Sequence, residues 1–354
     1  MNQVKEIGEV YVLLHMDCEL RCKVCPYLGL NGAYKSNYFK KKYGEGKRID
    51  VDILKKFIDE IQNYLPKIIT LSGGEPLTYD GWVEIAKYAK SKNIRVSLST
   101  NGIYIGKYIK EIISYVDSIN INLGGTPDIL PQVRCADYGF NEVVTNVIKL
   151  NKIKERLNIN NPKIKITYVI SDISYHRIKE FYEYFKSRNI NVDEFFFQHM
   201  MYITPQDLYS QKRLWYNMGF PTDLWEGFCF CIGDIDFKEF LDQIHYLEKF
   251  HNVNFSPKMT HEEIKMYYDP SRKDKVKRNI KCIAPWNQVD IYPNGDIMVC
   301  PDYVVGNIKK ESFNKLWNNR KACWLREKIK QGRRFPGCNS CFYYYISDED
   351  PDKV

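Results

Sequence analysis

Three cysteines, Cys18, Cys22 and Cys25, stand close together in the arrangement C-x3-C-x2-C. They follow the apolar residues 10–14, which are typical of a buried strand, so all three thiols would project from one short loop. Three thiolates on one loop can bind three corners of a cubane 4Fe-4S cluster and leave the fourth iron without a protein ligand. A disulfide, or a zinc site completed by His15, is the alternative for the same residues.

The composition indicates a folded protein with metal or redox chemistry. The chain has 354 residues, of which 44% are hydrophobic, and its 27 Tyr and 18 Phe are enough for a sizeable core. Residues 1–9 are polar, and no apolar run approaches the roughly 18 residues that a membrane span needs. Eleven cysteines without a secretion signal favour metal binding over a disulfide framework. We therefore expect a cytoplasmic protein without a membrane partner.

The net charge of +8 is spread over many lysine-rich segments. Only residues 35–48, which include six Lys or Arg, form a local basic patch. Such a patch can bind phosphate or nucleic acid, but a solvated loop is the simpler interpretation. We therefore do not expect nucleic acid as a partner.

Apolar runs alternate with amphipathic helical patterns through the first two-thirds of the chain. Strands are predicted at residues 10–15, 68–71, 94–98, 118–123, 164–170 and 194–197. Helices are predicted between them, one that begins after the N-cap Asp50 and others at residues 81–91, 108–116, 141–157 and 175–188. Six strand-helix units in a row predict an α/β fold with a parallel sheet.

Polar motifs follow the ends of the predicted strands. The cysteine loop follows the first strand, Ser-Gly-Gly-Glu-Pro at residues 72–76 follows the second, and Ser-Thr-Asn-Gly at residues 99–102 follows the third. Gly-Gly-Thr at residues 124–126 follows the fourth. In barrel-type α/β folds the active site is built at the carboxyl edge of the strands. The sequence therefore predicts that these loops converge on one pocket.

This joint pattern resembles the radical S-adenosylmethionine (SAM) superfamily, whose enzymes bind SAM at the open iron of such a cluster. The resemblance implies a partial (β/α)6 barrel over residues 1–203. It also implies that an electron from the cluster cleaves SAM to a 5'-deoxyadenosyl radical, and that a flavodoxin- or ferredoxin-type protein supplies this electron.

The resemblance assigns SAM contacts to eight residues. They are Gly73, Gly74, Glu75, Pro76, Ser99, Asn101, Asn122 and Arg134. The first four are similar to the family's signature for the SAM amino group, in which Glu75 would accept hydrogen bonds from the ammonium. The next two match ribose-contacting positions, and the last two match the pair that binds the SAM carboxylate, which suits the forked donors of Arg134. Val24 stands where the family often carries an aromatic residue that contacts adenine.

A second set of cysteines lies near the carboxyl end. Cys282 and Cys300 belong to a C-x12-G-x4-C pattern in which residues 292–296 are a strong hairpin signal, and Cys338 and Cys341 form a C-x2-C pair. Four thiolates are thereby available to one site, either for a 4Fe-4S cluster or for the zinc of a zinc ribbon.

This arrangement resembles the SPASM/Twitch modules of some radical SAM enzymes. No cysteine follows Cys341, so the shorter Twitch form, a small β-hairpin and helix module with one fully ligated auxiliary 4Fe-4S cluster, fits better. The resemblance divides the chain into a barrel at residues 1–203, a linker and substrate-specific segment at residues 204–260, and the Twitch module at residues 261–354. Cys229 and Cys231 fall in the middle segment, where they would either donate a hydrogen atom to a substrate radical or pack among aromatic side chains.

A fully ligated auxiliary cluster is suited to accept an electron from a substrate radical. The cysteine spacing is similar to that of the Twitch dehydrogenase of aminocyclitol antibiotic biosynthesis, which implies an oxidoreductase that dehydrogenates a small-molecule alcohol or sugar-like substrate. Peptide (RiPP) maturation and redox-neutral epimerisation through Cys229 or Cys231 stay open, as does a metal-stabilised RNA-binding module from a different class. Only 17 residues precede Cys18, which leaves no room for an N-terminal leader-binding domain and favours a small molecule over a peptide.

Overall fold

The computed structural model describes residues 6–44, 46–217, 223–269, 271 and 282–345. The strands in these residues are β1 (Glu9–Leu13), β2 (Ile68–Ser72), β3 (Arg95–Thr100), β4 (Ser118–Asn122), β5 (Lys163–Ile170), β6 (Glu194–His199), β7 (Val253–Ser256), β8 (Gln288–Ile291), β9 (Asp296–Met298) and β10 (Val304–Asn307). They form one sheet in the order β10-β9-β8-β1-β2-β3-β4-β5-β6-β7.

Eight neighbouring strands of this sheet, β8 and β1 to β7, run parallel, whereas β9 and β10 are antiparallel to their neighbours. The prediction of an α/β fold with a parallel sheet is therefore confirmed. Within the described residues no pairing joins β7 to β10, so the sheet stays open. All carboxyl ends of β1 to β6 lie at one edge, which places the loops that follow them side by side.

The helices of the described residues are α1 (Asn37–Tyr43), α2 (Val51–Ile61), α3 (Trp82–Ser91), α4 (Ile109–Tyr115), α5 (Leu130–Arg134), α6 (Phe140–Leu157), α7 (Ile178–Ser187), α8 (Pro205–Asn217), α9 (Phe237–Leu247), α10 (His261–Tyr268), α11 (Ala284–Asn287), α12 (Phe313–Trp317), α13 (Arg320–Lys330) and α14 (Phe342–Tyr345). The predicted cap is present, since the Asp50 carboxylate accepts a hydrogen bond from the Ile53 amide at 3.0 Å. None of these helices is long and apolar enough to cross a membrane.

The segment at residues 204–260 contributes more to the sheet than a linker would. Its helix α9 leads to β7, which pairs in parallel with β6 from Phe195↔Val253 to Gln198↔Ser256. This pair extends the six predicted strand-helix units by a seventh strand. Four residues are too short an apolar pattern to separate a strand from a loop in the sequence, so only the pairing with β6 identifies it.

The carboxyl-terminal hairpin continues the sheet of the barrel. β8 and β9 are joined by a tight turn in which Gly295 has a φ of +91°, a conformation that favours glycine. This agrees with the predicted hairpin at residues 292–296. β8 also pairs with β1, with Tyr11 opposite Asp290. The apolar side chains of both parts belong to one core, in which Val10 and Val289 are fully buried.

We expect substitution of a core residue of α2 to destabilise the protein strongly. Leu54 is fully buried in the main core, so Leu54→Ala should lower the free energy of unfolding by about 2 to 5 kcal/mol through lost apolar contact and the remaining cavity. The matched control on the exposed face of the same helix is Lys56→Ala, which should change it by less than about 0.5 kcal/mol. Urea unfolding followed by circular dichroism measures both. Equal effects of the two substitutions would contradict this packing.

Candidate functional site

The three cysteines of the first motif lie on one loop directly after β1. Cys18, Cys22 and Cys25 are partly buried and line the same cavity, whose volume is about 240 Å³. The Leu20 amide donates to Cys18 Sγ, and the Leu28 amide donates to Cys25 Sγ, each at 3.4 Å. Such amide donors favour the thiolate forms that bind metal.

Burial has the opposite effect on these thiols. It raises the pKa of both Cys18 and Cys22 to about 12. Without a strongly positive partner the two thiols therefore hold their protons at neutral pH, and the iron of a cluster would displace them. Three convergent thiols, of which Cys18 and Cys22 need such a partner, fit the 4Fe-4S cluster predicted from their spacing.

The glycines after β2 allow this loop to pack tightly against the cysteine loop. The Gly74 amide donates to the His15 carbonyl oxygen at 2.7 Å, and the Glu75 amide donates to the Asp17 carbonyl oxygen at 2.8 Å. A Cβ atom on Gly74 would lie 1.9 Å from that Asp17 oxygen, and Gly73 has a φ of +131°. No larger residue fits this close backbone approach. Gly73 and Gly74 also line the cavity, as predicted for SAM-contacting residues.

The structure does not bring Glu75 and Pro76 to the cavity wall. The Glu75 side chain is completely buried, and its carboxylate accepts hydrogen bonds from Thr100 Oγ1 at 2.6 Å, from the Asn101 amide at 2.8 Å and from the Leu77 amide at 3.1 Å. Burial nevertheless raises the pKa of Glu75 to about 7. These contacts hold the loop after β3. The contact of this carboxylate with a bound ammonium stays a prediction.

Ser99, Asn101 and Asn122 line the cavity from the ends of β3 and β4. Asn101 Nδ2 donates to Glu19 Oε1 at 2.8 Å and so connects the loop after β3 to the cysteine loop. Asn122 Nδ2 donates to Ser99 Oγ at 3.2 Å. These three polar side chains are therefore held in place by one another and by the cysteine loop.

Arg134, the last residue of α5, is 2% exposed and also lines the cavity. Its Nη2 donates to the carbonyl oxygens of Asn101 at 2.8 Å and Asn122 at 2.5 Å. Its Nη1 is buried and finds no hydrogen-bond partner among the described residues. An unpaired guanidinium donor is costly to bury, so Arg134 is available to bind a carboxylate. Its contact with the SAM carboxylate stays a prediction.

The structure therefore brings nine of the predicted residues to one cavity: Cys18, Cys22, Cys25, Gly73, Gly74, Ser99, Asn101, Asn122 and Arg134. Sequence reasoning missed Thr167 and Val169, which line the same cavity from β5. They alternate along the strand with the buried residues Ile166, Tyr168 and Ile170. This alternation is the signal that could have identified them.

The second cysteine set also converges. Cys300 follows β9, and the segment at 336–340 carries Cys338 towards it. Burial raises the pKa of Cys300 well above its usual range, and the neighbouring Cys338, Cys341 and Cys282 thiols raise it further. These interactions indicate that the other three thiols lie near Cys300.

The two remaining candidate cysteines do not reach the cavity. Cys229 is partly buried and forms an isolated parallel bridge with Ile203, and Cys231 is exposed. Neither residue lines the cavity that holds Cys18 and Arg134. Burial, with a contribution from the Cys231 thiol, raises the pKa of Cys229.

Two family models match this chain. The model of the radical SAM superfamily matches residues 13–185, and that of SPASM, an iron-sulfur cluster-binding domain, matches residues 282–342. The first range includes the cysteine loop and every residue that lines the cavity, and the second includes all four auxiliary cysteines. Together the two matches imply that the cofactors of this protein are SAM and two 4Fe-4S clusters.

Curated proteins with similar sequences have different activities. The AdoMet-dependent heme synthase of Methanosarcina barkeri is 21% identical over 342 residues, which cover 92% of this chain and 86% of that protein. The GTP 3',8-cyclase of Clostridium perfringens is 30% identical over 172 residues, 47% of each chain. A probable GTP 3',8-cyclase of Methanococcus maripaludis is 25% identical over 47% of this chain and 51% of its own. The chain thus spans about half the length of the cyclases that it matches.

Solved structures show the same fold. Streptococcus suis SuiB bound to the precursor peptide SuiA superposes with a TM-score of 0.64 at 14% identity, covering 98% of this chain and 72% of SuiB. The structure of anSMEcpe with bound AdoMet gives a TM-score of 0.57 at 15% identity, covering 96% of this chain and 87% of that protein. With its converging cysteine loop and SAM cavity, its second four-thiol site and these matches, the chain belongs to the radical SAM superfamily and carries a SPASM-type iron-sulfur cluster-binding domain at its carboxyl end.

Proposed function

We propose that this enzyme is an oxidoreductase that dehydrogenates a small-molecule alcohol or sugar-like substrate. The observation that carries the proposal is the auxiliary site, whose four cysteines, Cys282, Cys300, Cys338 and Cys341, all lie within the match to an iron-sulfur cluster-binding domain. Four thiolates ligate all four irons of a cubane 4Fe-4S cluster, so no iron is left to bind substrate. A cluster of this kind is suited to exchange electrons, and dehydrogenation needs an acceptor for the second electron.

When bound, SAM and the first cluster supply the 5'-deoxyadenosyl radical that removes a hydrogen atom from an unactivated carbon. The chain's own residues would hold and orient SAM: Arg134 through its free Nη1 on the carboxylate, and Ser99 and Asn101 on the ribose. Apolar side chains of Leu20, Val24 and other wall residues line the rest of the cavity and would exclude water from the radical.

Two other reactions remain as candidates. Peptide maturation is favoured by the similarity in fold to SuiB, whose structure contains its precursor peptide. Epimerisation would need a hydrogen-donating thiol beside the substrate, and Cys229 and Cys231 both lie outside the cavity lining, which supports dehydrogenation instead. We further propose that the enzyme works in the cytoplasm and receives electrons from a flavodoxin- or ferredoxin-type protein.

The three-cysteine loop and the four auxiliary cysteines predict how much iron the protein binds. Anaerobic reconstitution should give about eight irons per chain, and about four when Cys18, Cys22 and Cys25 are all replaced by Ala. Replacement of the four auxiliary cysteines by Ala should also leave about four. Cys323→Ala, which lies outside both sets, is the matched control and should keep about eight. Zinc in place of the auxiliary iron would contradict the proposed electron acceptor.

Arg134 should contribute directly to SAM affinity. Arg134→Lys keeps the charge but loses the forked donors, so we expect SAM binding to weaken by about 1.5 to 3 kcal/mol, roughly ten- to 150-fold. Equilibrium binding of SAM to the reconstituted enzyme measures this loss. Arg95→Ala, an exposed arginine at the opposite end of β3, is the control and should bind SAM normally. Unchanged affinity in Arg134→Lys would remove this residue from the SAM site.

The mass of the product separates oxidation from epimerisation. A dehydrogenase gives a product two mass units lighter than the alcohol, because two hydrogens leave, with one 5'-deoxyadenosine per turnover. Cys229→Ala and Cys231→Ala should both keep substantial activity. In heavy water an epimerase would instead return one deuterium from a thiol to carbon. Carbon-bound deuterium in an unoxidised product, abolished by either cysteine substitution, would contradict dehydrogenation and favour epimerisation. A cross-linked peptide as the product would contradict it and favour peptide maturation.

A further inference from the structure

The barrel contains a carboxylate, that of Asp290, which is not among the residues assigned to SAM or to the two clusters. Asp290 on β8 is in register with Tyr11 on β1, and Gln288 is in register with Glu9. Residues paired in this way on neighbouring strands project to the same face of the sheet. Glu9 and Tyr11 line a cavity of about 540 Å³ at the amino-terminal ends of the strands, inside the barrel. Asp290 therefore faces the barrel interior, where it is partly accessible.

Tyr11 connects this interior space to the SAM cavity. Its hydroxyl interacts with the side chains of Ser99 and Ser72. Both serines line the cavity beside the cysteine loop. Since Asp290 is the register partner of Tyr11, it lies one side chain away from the wall of the SAM cavity.

Tyrosines from both cluster-binding segments approach Asp290. Tyr27 stands two residues after Cys25, and Tyr343 stands two residues after Cys341. Both tyrosines interact electrostatically with the Asp290 carboxylate. Asp290 is therefore next to chain segments from both iron-sulfur sites, which is where a substrate that reacts with one and transfers an electron to the other would lie.

A hydrogen bond holds the Asp290 carboxylate in place. Gln288 Nε2 donates to Asp290 Oδ1 at 2.7 Å and also donates to the Tyr343 hydroxyl. The Gln288 amide thus orients the carboxylate relative to the segment that carries Cys341. The second oxygen of Asp290 has no partner among the hydrogen bonds of the described residues and is free to accept one from a ligand.

The surroundings of Asp290 contain acids and tyrosines but no cation among the described residues. The groups that face it are Glu9, Tyr11, Tyr27, Tyr292 and Tyr343. Burial, together with the Glu9 charge, raises the pKa of Asp290 to about 7, although the Gln288 hydrogen bond acts in the other direction. A carboxyl group with this pKa can exchange a proton with a bound molecule near neutral pH.

We propose that Asp290 is the proton acceptor of the dehydrogenation and contacts the hydroxyl group of the substrate inside the barrel. This inference rests on the proposed function. A secondary alcohol loses a hydrogen atom from its hydroxyl-bearing carbon to the 5'-deoxyadenosyl radical, a proton from its oxygen to the Asp290 carboxylate, and one electron to the oxidised auxiliary 4Fe-4S cluster. The products are the ketone, 5'-deoxyadenosine, protonated Asp290 and the reduced cluster, so atoms and electrons balance.

Infrared spectroscopy of the reconstituted enzyme tests the proton exchange without turnover. The carbonyl stretch of a protonated buried carboxyl should disappear as the pH rises through about 7 in the wild type. The contribution of Asp290 to this band should be missing in Asp290→Asn, which leaves that of other buried carboxyl groups such as Glu75, and the whole band should be unchanged in Asp52→Asn, whose side chain is 85% exposed on α2. An identical titrating band in Asp290→Asn would overturn the assignment.

Turnover of an alcohol substrate tests the role in catalysis. In the wild type kcat/KM for the carbonyl product should rise with pH through about 7, because the carboxylate is the active form. Asp290→Asn should still form 5'-deoxyadenosine but give about a hundredfold less carbonyl product, and its kcat/KM should not rise with pH through about 7. Asp290→Glu should restore part of the carbonyl product. The same yield and pH profile in Asp290→Asn would overturn the inference. Wild-type enzyme that forms 5'-deoxyadenosine but no carbonyl product would instead overturn the proposed function.

Discussion

The parallel pairing of β8 with β1 is the interaction on which the arrangement of the two cofactor sites depends. Four residue pairs, from Glu9↔Gln288 to Val12↔Ile291, hold the carboxyl-terminal hairpin against the first strand of the barrel. β1 leads directly to the first cysteine loop, and β8 leads through one tight turn to Cys300. A single strand pair therefore sets the separation of both cluster-binding segments and the position of the side chains between them.

Buried polar side chains give the SAM cavity its shape before any ligand enters. The Glu75 carboxylate holds the loop after β3, Asn101 connects that loop to the cysteine loop, and Arg134 connects it to β4. Each contact satisfies a group that would otherwise be costly to bury. Because the loops are already held in position, little ordering is needed when the ligand binds.

The parts that could be predicted from the sequence are those in which a short motif lies within one loop or turn. The cysteine spacings and the hairpin before Cys300 depend on local geometry, so the sites of both clusters could be predicted from the sequence. The direction of a side chain is not local, and the Gly-Gly-Glu-Pro motif gives no sign that the Glu75 carboxylate accepts hydrogen bonds from Thr100 and Asn101. β7 and Asp290 are recognisable only through their pairing with β6 and β1, which are distant in the sequence.

The same strand pair has a consequence for how the chain is synthesised. β1 occupies the middle of the finished sheet, yet one of its two edges is covered by residues 288–291, which are synthesised long after β1. Until then a largely buried apolar strand, Glu9–Leu13, exposes unpaired backbone groups along that edge. Exposed edges of this kind invite pairing with other chains, and contacts so distant in the sequence form slowly. The nascent barrel therefore has an unpaired strand edge until residues 288–291 are synthesised, and the pairing of the carboxyl-terminal hairpin with β1 removes this site for contact with other chains.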